Sequence, residues 1–300
     1  MKKLLVIGSK GFIGSNVLSH FSEQPNFEVW GCDVVTDYRS KRYFLIDATS
    51  ADFSGVFQRE AFDVCINCSG AASVPDSMVN PLRDYHLNTT NVFYILEAIR
   101  HFSPTCKFLN LSSAAVYGNP QQLPIKESDR VSPLSPYGWH KYQSELLCQE
   151  YSRVHNIATA SARIFSAFGP GLQKQLFWDW YEKVRSGNDI TLWGTGNESR
   201  DFIFIEDVVS AIQCIVDRAP FQAESINVAN GQEVFIRDAI DIFKEASGIS
   251  FTYAFNNEVR KGDPVNWVAN ITLLSEFGYA PKNSFKAGIQ KYIRWVETKG

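Results

Sequence analysis

The sequence predicts an α/β fold: a doubly wound parallel sheet with a smaller, discontinuous C-terminal lobe. Three observations point there. Apolar strand-like runs alternate with helix-length stretches through the first two-thirds of the chain, the pattern of a parallel sheet covered on both faces. The first such run ends in a glycine-rich turn, Gly8-Ser-Lys-Gly11-Phe-Ile-Gly14. After Phe168-Gly-Pro-Gly171 the texture changes: glycine, tryptophan and arginine become frequent and the elements shorten.

Taken in order, residues 3–8 form a strand and 12–22 a helix. Residues 28–32 and 43–46 are strands, followed by a short helix near 53–60 and a strand over 64–68. Residues 80–102 read as one long helix with Leu87, Asn91, Tyr94, Ile95 and Ala98 along a face. A strand over 107–111 leads to a second long helix, 136–155, where Pro136 suits the first turn because its fixed backbone angle is already helical. Residues 158–163 are the strand after that helix. A helix over 206–217 and a strand over 225–229 return to the main sheet. The expected division is a dinucleotide-binding domain of residues 1–165 and 206–229 and a substrate lobe of residues 166–205 and 230–300. Parallel sheets bind ligands at the carboxyl ends of their strands. The motifs of the first 170 residues lie at such ends or just past them.

Composition narrows the function. The chain has 300 residues, 45% of them hydrophobic, enough for a sizeable core. Net charge is −3 and no basic run stands out, so nucleic acid is not an expected partner. Met-Lys-Lys-Leu-Leu-Val-Ile superficially resembles the start of a signal peptide, but the apolar run is short and ends in a glycine turn, as a first buried strand does. No segment is long and apolar enough to cross a membrane. Cys65 and Cys68 form a CxxC, yet an odd spacing on a strand sends the two side chains to opposite faces. The expectation is therefore buried, reduced thiols in a cytoplasmic protein, with no metal.

Gly8, Gly11 and Gly14 lie between the first strand and the first helix. One glycine permits the turn, a second lets the backbone approach a pyrophosphate, and a third lets helix and strand pack closely. The helix N-terminus at Phe12, Ile13 and Gly14 offers free N–H groups and a positive dipole end to the phosphates. Asp33 ends the second strand, where a carboxylate accepts hydrogen bonds from both adenosine ribose hydroxyls and repels a 2′-phosphate. NAD is thus favoured over NADP, although Arg39, Lys41 and Arg42 lie close by. Asp47, after the third strand, is placed to meet the adenine amino group or, alternatively, to cap a helix.

Tyr137 and Lys141 are four apart on the second long helix and so share a face. A neighbouring ammonium favours the tyrosinate, lowering the tyrosine's pKa toward working pH. Tyr137 can then exchange a proton with a substrate hydroxyl or carbonyl while a nicotinamide exchanges hydride. Ser113, at a strand end, would hydrogen-bond the same oxygen. His140 reads as a packing or helix-surface histidine.

These residues, with Asn67-Cys-Ser-Gly-Ala-Ala72, Asn88, Ser112-Ser113-Ala-Ala-Val-Tyr-Gly118, Arg163 and Gly194-Thr-Gly-Asn-Glu-Ser-Arg200, carry a resemblance. The chain resembles the extended short-chain dehydrogenase/reductases, specifically the NAD-dependent nucleotide-sugar epimerase/dehydratase group. The resemblance implies a Rossmann-like fold and a catalytic set of Ser113, Tyr137 and Lys141. It adds Ala48, Cys68, Ser69, Gly70 and Asn88 to the cofactor contacts. Arg200 and Arg260 would hold the diphosphate and Trp193 would stack on the base. Ser73, Ser166, Gln175 and Asp263 would be further substrate contacts, and Trp267 would limit the sugar's C2 substituent. It also implies a homodimer built on the two long helices, and a place in polysaccharide precursor synthesis.

Sugar dehydratases of that group carry an Asp-Glu pair where this chain has Ala114-Ala115, which cannot transfer protons. What remains is hydride chemistry at one carbon: a 4-epimerase acting through a transient 4-keto sugar, or alternatively a 4-ketoreductase. A reductase of a non-sugar ketone and a non-catalytic dinucleotide sensor stand further off.

Overall fold

The computed structural model describes residues 1–258 and 262–298. Its strands are β1 (Lys2–Ile7), β2 (Phe27–Asp33), β3 (Tyr43–Leu45), β4 (Val64–Asn67), β5 (Lys107–Ser113), β6 (Thr159–Ile164), β7 (Ser166–Phe168), β8 (Asp189–Leu192), β9 (Ser199–Phe204), β10 (Gln222–Val228), β11 (Glu233–Phe235) and β12 (Thr252–Phe255). Seven of them form one sheet in the order β10-β6-β5-β4-β1-β2-β3. Every pairing in it is parallel. This is the Rossmann order with one added strand, and the winding reverses between β1 and β4, where such sheets open a crevice for ligand.

The helices are α1 (Phe12–Ser22), α2 (Ser54–Arg59), α3 (Val74–Val79), α4 (Pro81–Tyr85), α5 (Asn91–Phe102), α6 (Pro136–His155), α7 (Gln175–Ser186), α8 (Ile205–Arg218), α9 (Ile236–Ser247), α10 (Thr272–Glu276) and α11 (Phe285–Glu297). Both faces of the sheet are covered. Leu4 and Val6 join a core shared with α1 and α8, through Val17, Phe21, Val208 and Ile212. Leu5 and Ile7 join the opposite core, with Phe57 of α2, Ile95 of α5 and Tyr151 of α6. The alternation along β1 follows from the two-residue period of a strand. Cys65 sits in the second core while Cys68 packs against the first, and all six cysteines are free.

After β6 the chain builds two small sheets, β11-β9-β7 and β12-β8. Phe168, Phe177, Phe202 and Phe285 pack ring against ring, tying β7, β9, α7 and α11 together in continuity with the first core.

Two elements differ from expectation in ways that matter for the site. Residues 80–102 are not a uniform helix: α4 passes through a π-helical turn, His86–Thr90, into α5. The wider turn changes the phase of the helix beyond it. The buried side becomes Asp84, Asn88, Val92, Ile95 and Ile99, while Tyr94 is exposed and Leu87 and Asn91 are half-buried. The strand expected over 107–111 runs on to Ser113, so β5 ends at that hydroxyl. The short helix α3 has no counterpart among the elements the sequence predicts. Among the described residues no helix is long and apolar enough to cross a membrane, and no cluster of His, Cys, Asp or Glu could hold a metal ion.

Candidate active site

The glycine turn sits at the switch point. Gly8 has φ +78°, and a Cβ there would lie 2.6 Å from the Ser69 amide nitrogen, so the turns after β1 and β4 press together. A Cβ on Gly14 would strike the Gly8 carbonyl, which is why α1 can start directly on the turn. Gly11 precedes α1 and no side chain caps it, leaving the first-turn N–H groups to a ligand. Asp33 borders this turn, accepting from the N–H of Lys10 at 2.8 Å and of Val34 at 2.7 Å. The Lys10 ammonium is paired with Asp37, and Arg42 with Glu28 at 3.1 Å; Arg39 and Lys41 are exposed. A carboxylate thus borders the glycine turn, and two of the cations near it are already paired with other carboxylates. Asp47 accepts from the N–H and hydroxyl of Thr49 at 2.7 and 2.6 Å, a local turn, with Ala48 exposed beside it.

At the other end of the crevice β5 and α6 meet. Ser135 caps α6 by accepting from Gly138 N–H at 3.2 Å, and Pro136 fills the first turn. A Cβ on Gly138 would come within 2.6 Å of the Ala115 carbonyl oxygen, so only glycine lets the helix press on the turn after Ser113. That contact sets the Tyr137 phenol where Ser113 favours its ionised form. One turn on, Lys141 is buried and donates from Nζ to the Leu111 carbonyl at 2.9 Å. Another turn on, the carboxylate of Glu145 takes a two-pronged ion pair from Arg163, at 2.7 and 3.0 Å, and a hydrogen bond from Ser112 at 2.5 Å.

The expectation that Lys141 draws the Tyr137 pKa down is not met by the protein's own groups. Burial pushes Tyr137 up to about 12; the Ser113 hydrogen bond works against this and the charge of Asp84 adds to it. Burial likewise pushes Lys141 down to about 8, opposed by Asp84, Cys68 and Glu145. Desolvation outweighs the pairwise interactions at both positions.

Asn88 lies on the π turn. Its amide is buried with neither atom hydrogen-bonded, and a Cβ on Gly70 would strike its oxygen and lie 3.3 Å from Lys141 Nζ. A buried amide without a partner is costly. Its orphaned atoms, the open helix terminus and the bare backbone at Gly8 together fit a dinucleotide lying from Asp33 to Lys141.

Sequence reasoning missed two features here. Ser69 Oγ donates to Asn67 Oδ1 at 2.6 Å, Asn67 Nδ2 to Asn110 at 3.1 Å, Asn110 Nδ2 to Ser144 Oγ at 2.9 Å, and Ser144 Oγ to the Lys141 carbonyl at 2.7 Å. This chain of bonds couples the loop after β4 to α6, and only its small polar residues inside apolar strands hinted at it. His140 packs edge-on to Tyr85, as a packing histidine does, and its Nδ1 stands 2.6 Å from Oδ2 of Asp84, which is 1% exposed. A carboxylate on an amphipathic helix reads as solvent-facing, so nothing in the sequence singled out Asp84.

The predicted substrate residues are less gathered. Ser73 caps α3 by accepting from Asp76 N–H at 3.2 Å. Gln175 opens α7 and donates to the Ala72 carbonyl at 3.4 Å. Ser166 opens β7, half-buried, and Trp193 follows β8, exposed. Arg200, on β9, donates to the carbonyls of Ser199 and Val265 and lies 5.7 Å over the Trp267 ring. The negative charges nearest it are Asp263 and Glu198. Asp201 and Glu206 are engaged elsewhere: Asp201 accepts from the N–H groups of Asn230, Gly231 and Ala269, and Glu206 pairs with Lys291. Trp267 is buried, donates from Nε1 to the Gly118 carbonyl at 2.9 Å and packs against Phe165 in a cluster that also holds Ala114 and Ala115. Arg260 lies outside the described residues.

Residues 4–229 match the model of the NAD dependent epimerase/dehydratase family. A putative UDP-glucose 4-epimerase of Methanocaldococcus jannaschii is 27% identical over 304 residues, covering 98% of each chain. The UDP-glucuronate 4-epimerase 4 of Arabidopsis thaliana is 25% identical, covering 97% of this chain and 74% of that one. A crystal structure of UDP-glucuronic acid 4-epimerase from Bacillus cereus, in complex with UDP-glucuronic acid and NAD, is similar at a TM-score of 0.90 and 25% identity, covering 99% of this chain and 100% of that one.

Proposed function

Since the chain belongs to the NAD dependent epimerase/dehydratase family, we propose that it is an NAD-dependent enzyme that inverts C4 of a uridine diphosphate sugar. One observation carries the reading: Tyr137, whose phenol interacts with Ser113, and Lys141 stand one turn apart on α6, with the Lys141 ammonium and the unpartnered amide of Asn88 both facing Gly70. Ala114 and Ala115 come directly after Ser113, so no acid or base stands there for an elimination. Two relatives that match along nearly the whole chain are named for UDP-sugar 4-epimerases, which supports uridine as the base.

In this reading the N–H groups of Phe12, Ile13 and Gly14 hold the pyrophosphate of NAD. Asp33 takes the adenosine ribose, Asp47 and Ala48 meet the adenine, and Cys68, Ser69, Gly70, Asn88 and Lys141 secure the nicotinamide end. NAD, when bound, supplies the hydride acceptor and donor and a positive ring that favours the Tyr137 phenolate. Tyr137 takes the proton of the C4 hydroxyl as that carbon is oxidised. Ser113 steadies the oxygen as its charge changes. Tyr137 then returns the proton when C4 is reduced on its other face. Between the two half-reactions the keto sugar must turn over while its nucleotide stays anchored. That anchoring falls to Arg200 with Arg260 on the diphosphate and Trp193 on the base, with Ser73, Ser166, Gln175 and Asp263 near the sugar. Residues 166–205 and 230–300 act as the sugar-nucleotide lobe.

Leu82, Tyr94, Trp139, Leu146 and Val154 leave an exposed apolar face on α4, α5 and α6, which supports a homodimer. Six free thiols support a cytoplasmic setting.

The test is the 340 nm absorbance of the purified protein during turnover with UDP-, dTDP-, GDP- and CDP-hexoses and their 4-keto derivatives. C4-inverted product from a UDP-sugar with no net change in NADH is the expected result. Stoichiometric NAD(P)H consumption with a keto sugar would replace the epimerase with a reductase.

A further inference from the structure

Asp84 is the least expected charge in this molecule. It is on α4, 1% exposed, and the only hydrogen-bonding partner of its carboxylate among the described residues is His140 Nδ1. The other carboxylate oxygen, Oδ1, is buried with no partner among them. His140 Nδ1 and Asp84 Oδ2 share one proton between them. His140 is itself held: the Tyr85 ring stands edge-on to its imidazole at 5.2 Å, and Thr89 Oγ1 donates to its carbonyl at 3.0 Å. His140 immediately precedes Lys141 and lies three residues after Tyr137 on α6, while Asp84 precedes the π turn that carries Asn88.

Burying a carboxylate with half its hydrogen-bonding capacity unused lowers stability. A well-packed apolar pair would serve the fold better. We infer that Asp84 and His140 form a positioning pair for the Tyr137–Lys141 couple: their contact clamps the Asn88 turn against the catalytic helix and sets a fixed negative charge beside the two proton-holding groups. Neither side chain need touch the sugar. The charge of Asp84 opposes ionisation of Tyr137 and supports the ammonium of Lys141. The other titratable groups acting on Lys141 are Cys68, from the loop after β4, and Glu145, one turn further along α6 and already paired with Arg163. Asp84 is the charge common to Tyr137 and Lys141, and it reaches them from another helix.

The inference rests on Tyr137 being the proton-transfer residue, and its test contains no sugar, so failure of the epimerase reading would not affect it. Tyrosine labelled at the ring carbon bearing the hydroxyl is introduced into the full-length protein with NAD bound. Tyr137→Phe identifies the resonance, and its chemical shift is followed with pH. Asp84→Asn, which keeps the shape and removes the charge, is expected to move the Tyr137 titration to lower pH by about half a unit or more. A folded, NAD-binding Asp84→Asn protein with the parent's titration would overturn the inference. Should that variant not fold, His140 decides. His140→Asn keeps a donor for Asp84 and is expected to leave the Tyr137 titration and NAD affinity as in the parent. His140→Leu removes the donor and is expected to change both. A parental titration and affinity in His140→Leu would overturn the pairing.

Discussion

The ammonium of Lys141 is tied to the carbonyl of Leu111, two residues before the hydroxyl on which β5 ends. The helix carrying Tyr137 and the strand carrying Ser113 are thereby held to each other by the group that also faces Gly70. A buried lysine with this job is a compromise. Its pKa is depressed from 10.5 to about 8, so below pH 8 the folded state keeps a proton it holds poorly. Between pH 8 and 10.5 the unfolded chain binds more protons than the folded one, and stability contributed by this group rises with pH across that window. Lys141→Met should therefore be more stable than the parent at pH 7 by up to about 3 kcal/mol. Urea denaturation at pH 7 and pH 10 checks this; a gap that does not narrow at the higher pH would refute the depressed lysine.

The same variant should lose activity, and the parent's own activity should decline on the alkaline side as Lys141 gives up its proton. A pH–rate profile of the NAD-bound enzyme, compared with Lys141→Arg, is the measurement. The arginine stays charged throughout, so its alkaline limb should move to higher pH even where its rate is lower.

Removing only the phenol oxygen tests proton transfer. Tyr137→Phe should reduce kcat by a factor of about 10² to 10⁴ while NAD affinity, measured by calorimetry, stays within a few-fold. The ring continues to fill its place against the turn after Ser113, so an equal loss in cofactor binding would mean that Tyr137 is structural.

Gly8→Ala should abolish NAD binding and destabilise the fold by about 1–3 kcal/mol, because the position demands a left-handed backbone and a Cβ would collide with Ser69. Cofactor titration and thermal melting read the two effects separately. A variant that melts as the parent does and binds NAD would show that the turn after β4 can withdraw.

Glu145 and Arg163 are 1% and 4% exposed, and each satisfies the other. Glu145→Gln leaves a guanidinium buried without its counter-charge and should cost about 3–5 kcal/mol. Replacing both with methionine should recover most of that loss, since the desolvation penalty disappears with the charges. A double variant no better than the single would show that Ser112, Tyr117 and Glu145 act as a network rather than the ion pair acting alone.

Much of this architecture is legible in the residue order. Pro136 and the residues after it place helix 136–155 to the residue, since the fixed angle of proline is local chemistry. Gly8, Gly11 and Gly14 announce the turn because a strained backbone admits few other residues. The strands announce themselves as apolar runs because a parallel sheet is buried on both faces. The Tyr137–Lys141 spacing alone puts both side chains on one helical face.

What only the tertiary structure decided involves partners distant in the chain. The π turn at His86–Thr90 shifts the buried face of the long helix, and no periodicity within the segment signals one extra residue per turn. Asp84 and His140 are 56 residues apart, and neither one's local sequence announces the other. Trp267 finds its hydrogen bond at Gly118 and its packing at Phe165, both distant in the chain. Sequence constrains what lies within a few residues along a helix or strand, because the backbone's repeat sets those distances. Which carboxylate is stripped of water, and which tyrosine pays for it in a raised pKa, depends on surfaces that meet only when the sheet and its covering helices have closed.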